Sequence, residues 1–137
     1  YSDKKTINVS GNGVFTFPSA VLNGSFYIVV KHRNTIETWS SAAVSFAVNP
    51  VTYNFSNAVN KAFGNNLKFL ETGVYGIYNG DIDKNNVINT TDLSAVESNS
   101  VLFLTGYIPS DVTGNGIVES SDQSVVENNI GITLLRP

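Results

Sequence analysis

The stretch DIDKNNVINTTD, residues 81–92, decides the fold of this chain. Side-chain oxygens recur at its positions 1, 3, 5, 9 and 12, and position 7 offers its backbone carbonyl. This is the ligand spacing of a twelve-residue calcium loop, because calcium takes six to eight oxygens and the loop curls alternate residues inward. Position 6 needs a left-handed backbone, which Asn86 tolerates best after glycine. The predicted ligands are Asp81, Asp83, Asn85, Val87, Asn89 and Asp92.

A second stretch, DVTGNGIVESSD at residues 111–122, repeats the spacing thirty residues later. Asn, Asp and Gly also cluster in ordinary turns, so one loop alone would be weak evidence. Two loops in register predict two bound calcium ions. The apolar residues at position 8, Ile88 and Val118, are predicted to face each other in a short strand bridge. The ligands predicted in the second loop are Asp111, Thr113, Asn115, Ile117 (through its carbonyl), Glu119 and Asp122.

The composition narrows the functional class. The 137 residues include no Cys and no Met, and Asn is abundant. We therefore expect a secreted chain whose start has been lost, by removal of a signal peptide or because it is a fragment. Without disulfides, bound calcium can stabilise the folded form. The apolar runs are too short for membrane insertion.

Charge is divided unevenly along the chain. Residues 1–76 hold six Lys and Arg against three Asp and Glu, whereas residues 77–137 hold two against eight. The excess negative charge therefore lies with the calcium loops, where it is largely ligand charge. A nucleic-acid-binding domain would need a basic stripe instead, so nucleic acid is excluded as a partner.

Residues 1–76 are predicted to form an antiparallel β-sandwich. Alternating apolar residues flank an SGNG turn at residues 10–13, which is a hairpin signal. Short apolar runs then follow at roughly ten-residue spacing, as in sandwich folds. The predicted strands cover residues 5–10, 13–17, 26–31, 35–39, 43–48, 51–55, 67–70 and 74–78.

Residues 77–137 are predicted to form two loop–helix units. Thr90 or Thr91 is expected to cap the first helix, and Ser120 or Ser121 the second. The apolar connector at residues 100–110 is expected to be buried. The tail at residues 131–137 reads as a strand that packs on its own chain or extends into a neighbour's sheet. The predicted fold is therefore mainly β with small α, with domains at 1–76 and 77–137.

The loop–helix pair resembles the dockerin family over residues 79–130. Dockerin loops end in Asp, as Asp92 and Asp122 do, and lack the helix that precedes the loop in EF-hands. The resemblance implies recognition of a cohesin-like protein through hydroxyl residues at positions 10 and 11. Here these residues are Thr90, Thr91, Ser120 and Ser121; plain helix capping is the competing interpretation. Thr113 departs from the Asp or Asn of the family, which implies that the second site is weaker.

The whole chain is similar to the C-terminal region of large secreted bacterial surface proteins. In such regions a sandwich carrying a stretch like KHRNTIETWS, residues 31–40 here, precedes a dockerin-like pair. A further strand usually precedes the equivalent of residues 4–9. The resemblance therefore implies a gap in the sandwich that another copy can fill.

Other chemistry finds little support in the sequence. His32 is the only histidine, and a position at a strand end explains it better than catalysis. There is no nucleophile elbow and no Cys–His pair. Trp39 with Tyr27 and Tyr53 forms either part of the core or a platform for sugar rings, and core is the stronger interpretation.

These observations predict a non-enzymatic, extracellular, calcium-binding structural protein. Its function is predicted to be self-assembly with copies of itself into a fibre, tube or surface layer. Two alternatives stay open. One is docking onto a cohesin-like receptor, and the other is binding of a polysaccharide by the sandwich.

Overall fold

A computed structural model describes all 137 residues of the chain. The regular elements are six short strands and two α helices. They are β1 (Ser25–Phe26), β2 (Val29–Val30), β3 (Thr38–Trp39), β4 (Val44–Ser45), β5 (Lys68–Glu71), β6 (Val74–Gly76), α1 (Thr90–Val101) and α2 (Ser120–Glu127). Short 3-10 turns cover Ser19–Val21, Val59–Lys61 and Phe63–Asn65. Neither α helix is long and apolar enough to cross a membrane.

The strands pair into three separate two-stranded antiparallel sheets, β1–β4, β2–β3 and β5–β6. In the second sheet Val29 lies opposite Trp39. The third sheet is a hairpin that turns at Gly73, whose φ of 77° suits glycine. Antiparallel strands with two small helices are thus confirmed, whereas the packing of two sheets into a sandwich stays a prediction.

The strands are shorter than the sequence pattern predicts. No strand forms at residues 5–10, 13–17 or 51–55, and the run 26–31 divides between two sheets. The turn between the first two runs is present, because the Asn8 side chain accepts from the backbone of Ser10 and Asn12. Every residue from 1 to 20 except Asp3 is exposed. An isolated two-stranded hairpin is marginal without a surface to pack on, which explains the missing strands.

The buried apolar core lies between the two loops and the two helices. Its side chains are Ile36, Ile88, Val96, Val112, Val118 and Val126, and partly buried residues including Tyr78, Leu93 and Leu134 pack against them. Ile36 comes from the first half of the chain. The predicted domain boundary at residue 76 stays a prediction, but the core extends across it.

The stretch around Ile36 is held directly against the second half of the chain. The Ile36 amide donates to the Tyr78 carbonyl over 2.9 Å, and the Gly80 amide donates to the Asn34 carbonyl over 2.7 Å. The Asn34 side chain donates to the carbonyls of Pro109 and Asp111. Residues 33–36 therefore lie between the starts of the two predicted loops and are hydrogen-bonded on both sides.

The sequence pattern predicted the position of the connector wrongly and left the position of the tail open. The connector was predicted to be buried, yet residues 101–107 are all exposed. The tail packs on its own chain, because Thr133 bridges Val87 and the Leu134 amide donates to the Asn86 carbonyl. Packing on its own chain, the first of the two alternatives predicted for the tail, is therefore observed at residues 133–134.

Candidate metal centre

The backbone of the first loop is curled by its own side chains. Three residues at odd positions each accept a hydrogen bond from the amide two residues further on. These bonds join Asp83 to Asn85 over 3.1 Å, Asn85 to Val87 over 2.8 Å and Asn89 to Thr91 over 2.7 Å. Such turns are typical of Asp and Asn. Asn86 has a φ of 69°, as the prediction for position 6 requires.

The carboxylates at positions 1 and 12 lie inside the loop and accept hydrogen bonds from its backbone. Both Asp81 and Asp92 are fully buried. Asp92 accepts from the Ile82 amide over 2.7 Å and from the Asn89 amide over 2.9 Å. These bonds join the start of the loop to the first turn of α1, where the helix dipole favours a negative charge.

One oxygen of the first loop is buried without a hydrogen bond. Asp81 Oδ1 accepts from the Asn86 amide over 3.3 Å, whereas Asp81 Oδ2 has no hydrogen-bond donor. Burial raises the pKa of Asp81, although the Lys84 ammonium opposes that shift. A buried carboxylate oxygen without a hydrogen-bond donor is costly, so a positive group in addition to Lys84 would stabilise it.

Three carboxylates of this loop converge. Oxygen atoms of Asp81, Asp83 and Asp92 lie within 4.8 Å of one another, so this group is able to hold a metal ion. Hard cations such as calcium prefer carboxylate and amide oxygens, and the neighbouring Asn85 and Asn89 supply amides. The unpartnered Asp81 oxygen and this donor set both fit such an ion.

A lysine of the same loop reduces the charge at this cluster. Lys84 Nζ lies 3.5 Å from Asp81 Oδ2, without hydrogen-bond geometry, and donates to the Thr35 carbonyl. The Lys84 side chain is partly exposed, so water screens part of its charge at the carboxylate.

The second loop keeps one of these turns, in which Asn115 accepts from the Ile117 amide, and arranges its acids differently. Asp111 accepts from the amides of Gly114 and Gly116, and Asp122 accepts from those of Thr113 and Glu119. The Glu119 carboxylate instead accepts from the side chains of Asn115 and Ser121. Only the first loop therefore gathers three carboxylates in one place.

Sequence reasoning missed the role of Arg33 at the second loop. Its guanidinium donates to the Asp111 carbonyl over 2.6 Å and lies 3.6 Å from the Asp111 carboxylate. It also stacks 4.1 Å from the centre of the Tyr107 ring. The only sequence signal was the charge difference between the two halves, which does not identify a pair 78 residues apart.

The predicted strand bridge between the two loops is wrong. Ile88 exchanges backbone hydrogen bonds with the tail, through Gly131 and Ile132, and the Val118 amide donates to Leu104 in the connector. Both side chains are buried in the shared core. The first loop therefore pairs with the tail that follows α2, and the second loop pairs with the connector that follows α1. The two loops contact each other only through side chains.

The predicted helix caps are also wrong. Asn89 occupies the cap of α1, with its side chain bonded to the Thr91 amide, and Glu119 occupies the cap of α2. Thr90, Thr91, Ser120 and Ser121 are all exposed. Capping therefore does not explain the hydroxyl side chains at loop positions 10 and 11.

The other sequence candidates have local partners. His32 Nδ1 lies 3.0 Å from Asn34 Oδ1, and burial lowers the pKa of His32 against the effect of that bond. The Trp39 indole donates to Glu37 over 2.6 Å, and its ring lies 5.9 Å from that of Tyr27. Trp39 is half-buried, so it is neither enclosed in the core nor fully open to a sugar.

Comparison of this chain with protein-family models, with curated protein sequences and with solved structures finds no match.

Proposed function

We propose that this chain is a non-enzymatic, extracellular module that binds calcium and assembles with copies of itself. The main observation in support of self-assembly is the amount of surface that one copy leaves exposed. Its accessible surface is 8438 Å², whereas a folded monomer of 14.8 kDa exposes roughly 7,000 Å². The excess of about 1,400 Å² shows that one copy is less compact than a typical folded monomer of its mass, so more of its surface is open to a neighbour.

The exposed surface is also rich in large apolar side chains. Residues 1–17 expose Ile7, Val9, Val14 and Phe15, and the connector exposes Phe103. Large apolar side chains exposed in this number are typical of contact sites with other molecules. In the proposed assembly a neighbouring copy covers it and completes the β-sandwich of residues 1–76 by adding strands to the open edges of the two-stranded sheets.

Calcium stabilises the dockerin-like half in this proposal. Asp81, Asp83, Asn85, Asn89 and Asp92, with the Val87 carbonyl, hold the first ion. The ion screens the buried carboxylates from one another and satisfies the unpartnered Asp81 oxygen. Because an ion that binds only the folded loop stabilises it, assembly depends on calcium.

The second calcium site is proposed to be weaker. Its ligands are Asp111, Asn115, Asp122 and the Ile117 carbonyl, with Thr113 and Glu119 as the least suited members. The Thr113 hydroxyl is a weaker ligand than a carboxylate, and the Glu119 carboxylate is engaged by Asn115 and Ser121. The nearby Arg33 guanidinium adds positive charge, which opposes the binding of a cation.

Docking onto a cohesin-like receptor is the second candidate function. The exposed hydroxyls of Thr90, Thr91, Ser120 and Ser121 favour it, because the caps of both helices are other residues. This candidate predicts a monomer whose contact with the receptor is lost when all four residues are changed to alanine.

Light scattering of the purified protein tests the first candidate. We expect large particles in calcium that dissociate when excess chelator is added. A monomer in both conditions would contradict self-assembly and leave receptor docking as the candidate to pursue. Particles that persist unchanged in chelator would contradict the calcium dependence but not the assembly itself.

A further inference from the structure

Lys84 is the only basic residue within the first loop. It stands at loop position 4, and its backbone has a φ of 60°, in the left-handed region. Its ammonium nitrogen lies 3.5 Å from Asp81 Oδ2, the buried oxygen that has no hydrogen-bond donor. The positive charge of Lys84 is therefore beside the same oxygen that the proposed calcium ion would contact.

The Lys84 ammonium is held in this position by the first half of the chain. It donates a hydrogen bond to the Thr35 carbonyl. Thr35 is buried and forms a backbone bridge with Asn79, two residues before the loop begins. The location of the ammonium is therefore set by a fixed part of the fold.

Lys84 is also the only basic group near the carboxylates of the first loop. Oxygen atoms of Asp81, Asp83 and Asp92 converge within 4.8 Å of one another, and Asp81 and Asp92 are fully buried. No other Lys, Arg or His nitrogen lies within 4.0 Å of these carboxylates. Burial raises the pKa of Asp81, and the Lys84 ammonium opposes that rise. Lys84 thus supplies part of the positive charge that a divalent ion would supply there.

The surroundings of Lys84 give its ammonium a second place to go. Lys84 lines an open cleft together with Lys31, Glu37 and Asn86, and its side chain is 41% exposed. The Glu37 carboxylate in this cleft pairs with Lys31 over 2.6 Å. The cleft therefore offers space, water and another carboxylate to an ammonium that is displaced from Asp81.

We propose that Lys84 is a built-in counter-ion that competes with calcium at the first loop and so sets the calcium concentration at which the loop fills. The inference rests on the calcium binding proposed above and concerns the regulation of that site. Without calcium, the ammonium partly neutralises the buried carboxylates and stabilises the empty loop. Calcium carries twice the charge and requires six to eight oxygens, so it displaces the ammonium from Asp81.

Three variants of the full chain test the proposal by calorimetric titration with calcium. Lys84→Gln removes the charge, while its amide can still donate to the Thr35 carbonyl. Lys84→Arg keeps the charge. Lys31→Gln is the matched control, because Lys31 lines the same cleft but pairs with Glu37 and not with a loop carboxylate.

We expect Lys84→Gln to bind calcium about fivefold more tightly than the wild type at the tighter site, because a partly exposed charge pair is lost. Lys84→Arg and Lys31→Gln should stay within about twofold of the wild type. Equal or weaker binding by Lys84→Gln, or an equal gain from Lys84→Arg, overturns this inference and leaves the proposed function standing. A wild type that binds no calcium overturns the inference and the proposed calcium site together.

Thermal unfolding separates competition from a purely structural role of Lys84. In excess chelator, Lys84→Gln should unfold at a lower temperature than the wild type, because the carboxylates have lost their counter-ion. The rise in unfolding temperature on adding calcium should then be larger for Lys84→Gln than for the wild type. A structural role predicts a variant that is less stable in both conditions and gains no more from calcium than the wild type, and that result would contradict the proposal.

Nuclear magnetic resonance of the wild type provides a measurement that needs no variant. Calcium should shift the signal of the Lys84 Cε methylene, whereas the signal of Lys61, which has no carboxylate partner, should stay in place. An unchanged Lys84 signal in a protein that has bound calcium would show that the ammonium does not compete with the ion.

Discussion

At the scale of single residues, Asp81 decides whether the first loop is stable. Its buried carboxylate has one oxygen without a hydrogen bond, and the Lys84 ammonium 3.5 Å away compensates its burial only in part, so a bound cation would stabilise the loop further. We expect Asp81→Asn to have opposite effects in the two conditions. With chelator the variant should be as stable as the wild type or more stable, because a buried charge is removed.

With calcium, Asp81→Asn should lose the stabilisation that the ion supplies. That stabilisation is about 2.7 kcal/mol when free calcium is a hundredfold above the dissociation constant. Thermal unfolding of both proteins in calcium and in chelator measures the difference. If Asp81→Asn is equally destabilising in both conditions, the carboxylate has a structural role rather than a metal-binding one.

Asn86 is the second residue for which the structure predicts a specific effect on stability, because its backbone is left-handed. Replacing it with alanine should lower the free energy of unfolding by about 1 kcal/mol, whereas glycine should be nearly neutral. Urea unfolding in calcium compares the two variants. Equal effects of alanine and glycine would show that the Asn86 side chain, and not its φ, is what the loop needs.

At the scale of elements, residues 31–40 connect the strands to the second loop. Arg33 donates to the carbonyls of Ile108 and Asp111 and is largely buried. Arg33→Met keeps the apolar stem but removes these charged hydrogen bonds, at an expected cost of about 1.5–3 kcal/mol. Lys31→Met is the control, because Lys31 is exposed and its pair with Glu37 is worth little.

Chemical unfolding measures both variants. Similar stabilities for Arg33→Met and Lys31→Met would contradict the view that Arg33 joins the two halves. If Arg33 also opposes calcium at the second loop, Arg33→Met should lose less stability in calcium than in chelator.

The tail is the second element with a measurable role. Ile132 packs against the core, and its carbonyl accepts from the Ile88 amide in the first loop. Removing residues 131–137 should therefore weaken calcium binding to the first loop severalfold, because the folded loop loses its backbone partner. Calorimetric titration measures this affinity, and removal of residues 136–137 alone serves as the control. Unchanged affinity after the longer truncation would show that the loop forms without the tail.

The sequence could predict features that depend on bonds between residues close together in the chain. It could not predict features that depend on distant residues. The alternation of Asp and Asn in residues 81–92 determines the loop, because each turn is closed by a bond between residues two apart. The left-handed Asn86 and the two helices were predictable for the same local reason. Pairings between distant segments, such as Arg33 with Asp111, depend on how the halves pack and leave no periodic signal.

The strand predictions show the same limit at larger scale. Apolar and polar residues alternate in residues 5–17, so each of the two predicted strands has one apolar face. A strand also needs a neighbouring strand edge to pair with, and no strand of this chain pairs with that segment. The connector was predicted buried because it is apolar, yet local backbone bonds to the second loop hold it at the surface. In both places most of the apolar side chains stay exposed, although Phe17 packs on Phe46 and Tyr107 on Arg33.

At the scale of the whole molecule, charge separation gives an expectation about salt. The chain has a net charge of −3, but its first half is positive and its second half negative. Like net charges repel copies at long range, whereas a self-assembly contact between the positive half of one copy and the negative half of another would bring opposite charges together at short range. At fixed calcium, raising the ionic strength from 0.02 to about 0.5 M shortens the screening length to a few ångströms. Assembly should then start more slowly, by roughly tenfold, as measured by the time course of light scattering. A Lys4→Gln and Lys5→Gln double variant should reduce this salt dependence, while the partly buried Lys61→Gln should not. Faster assembly in salt, with no difference between these variants, would show that net repulsion dominates and that the N-terminal lysines do not guide the encounter.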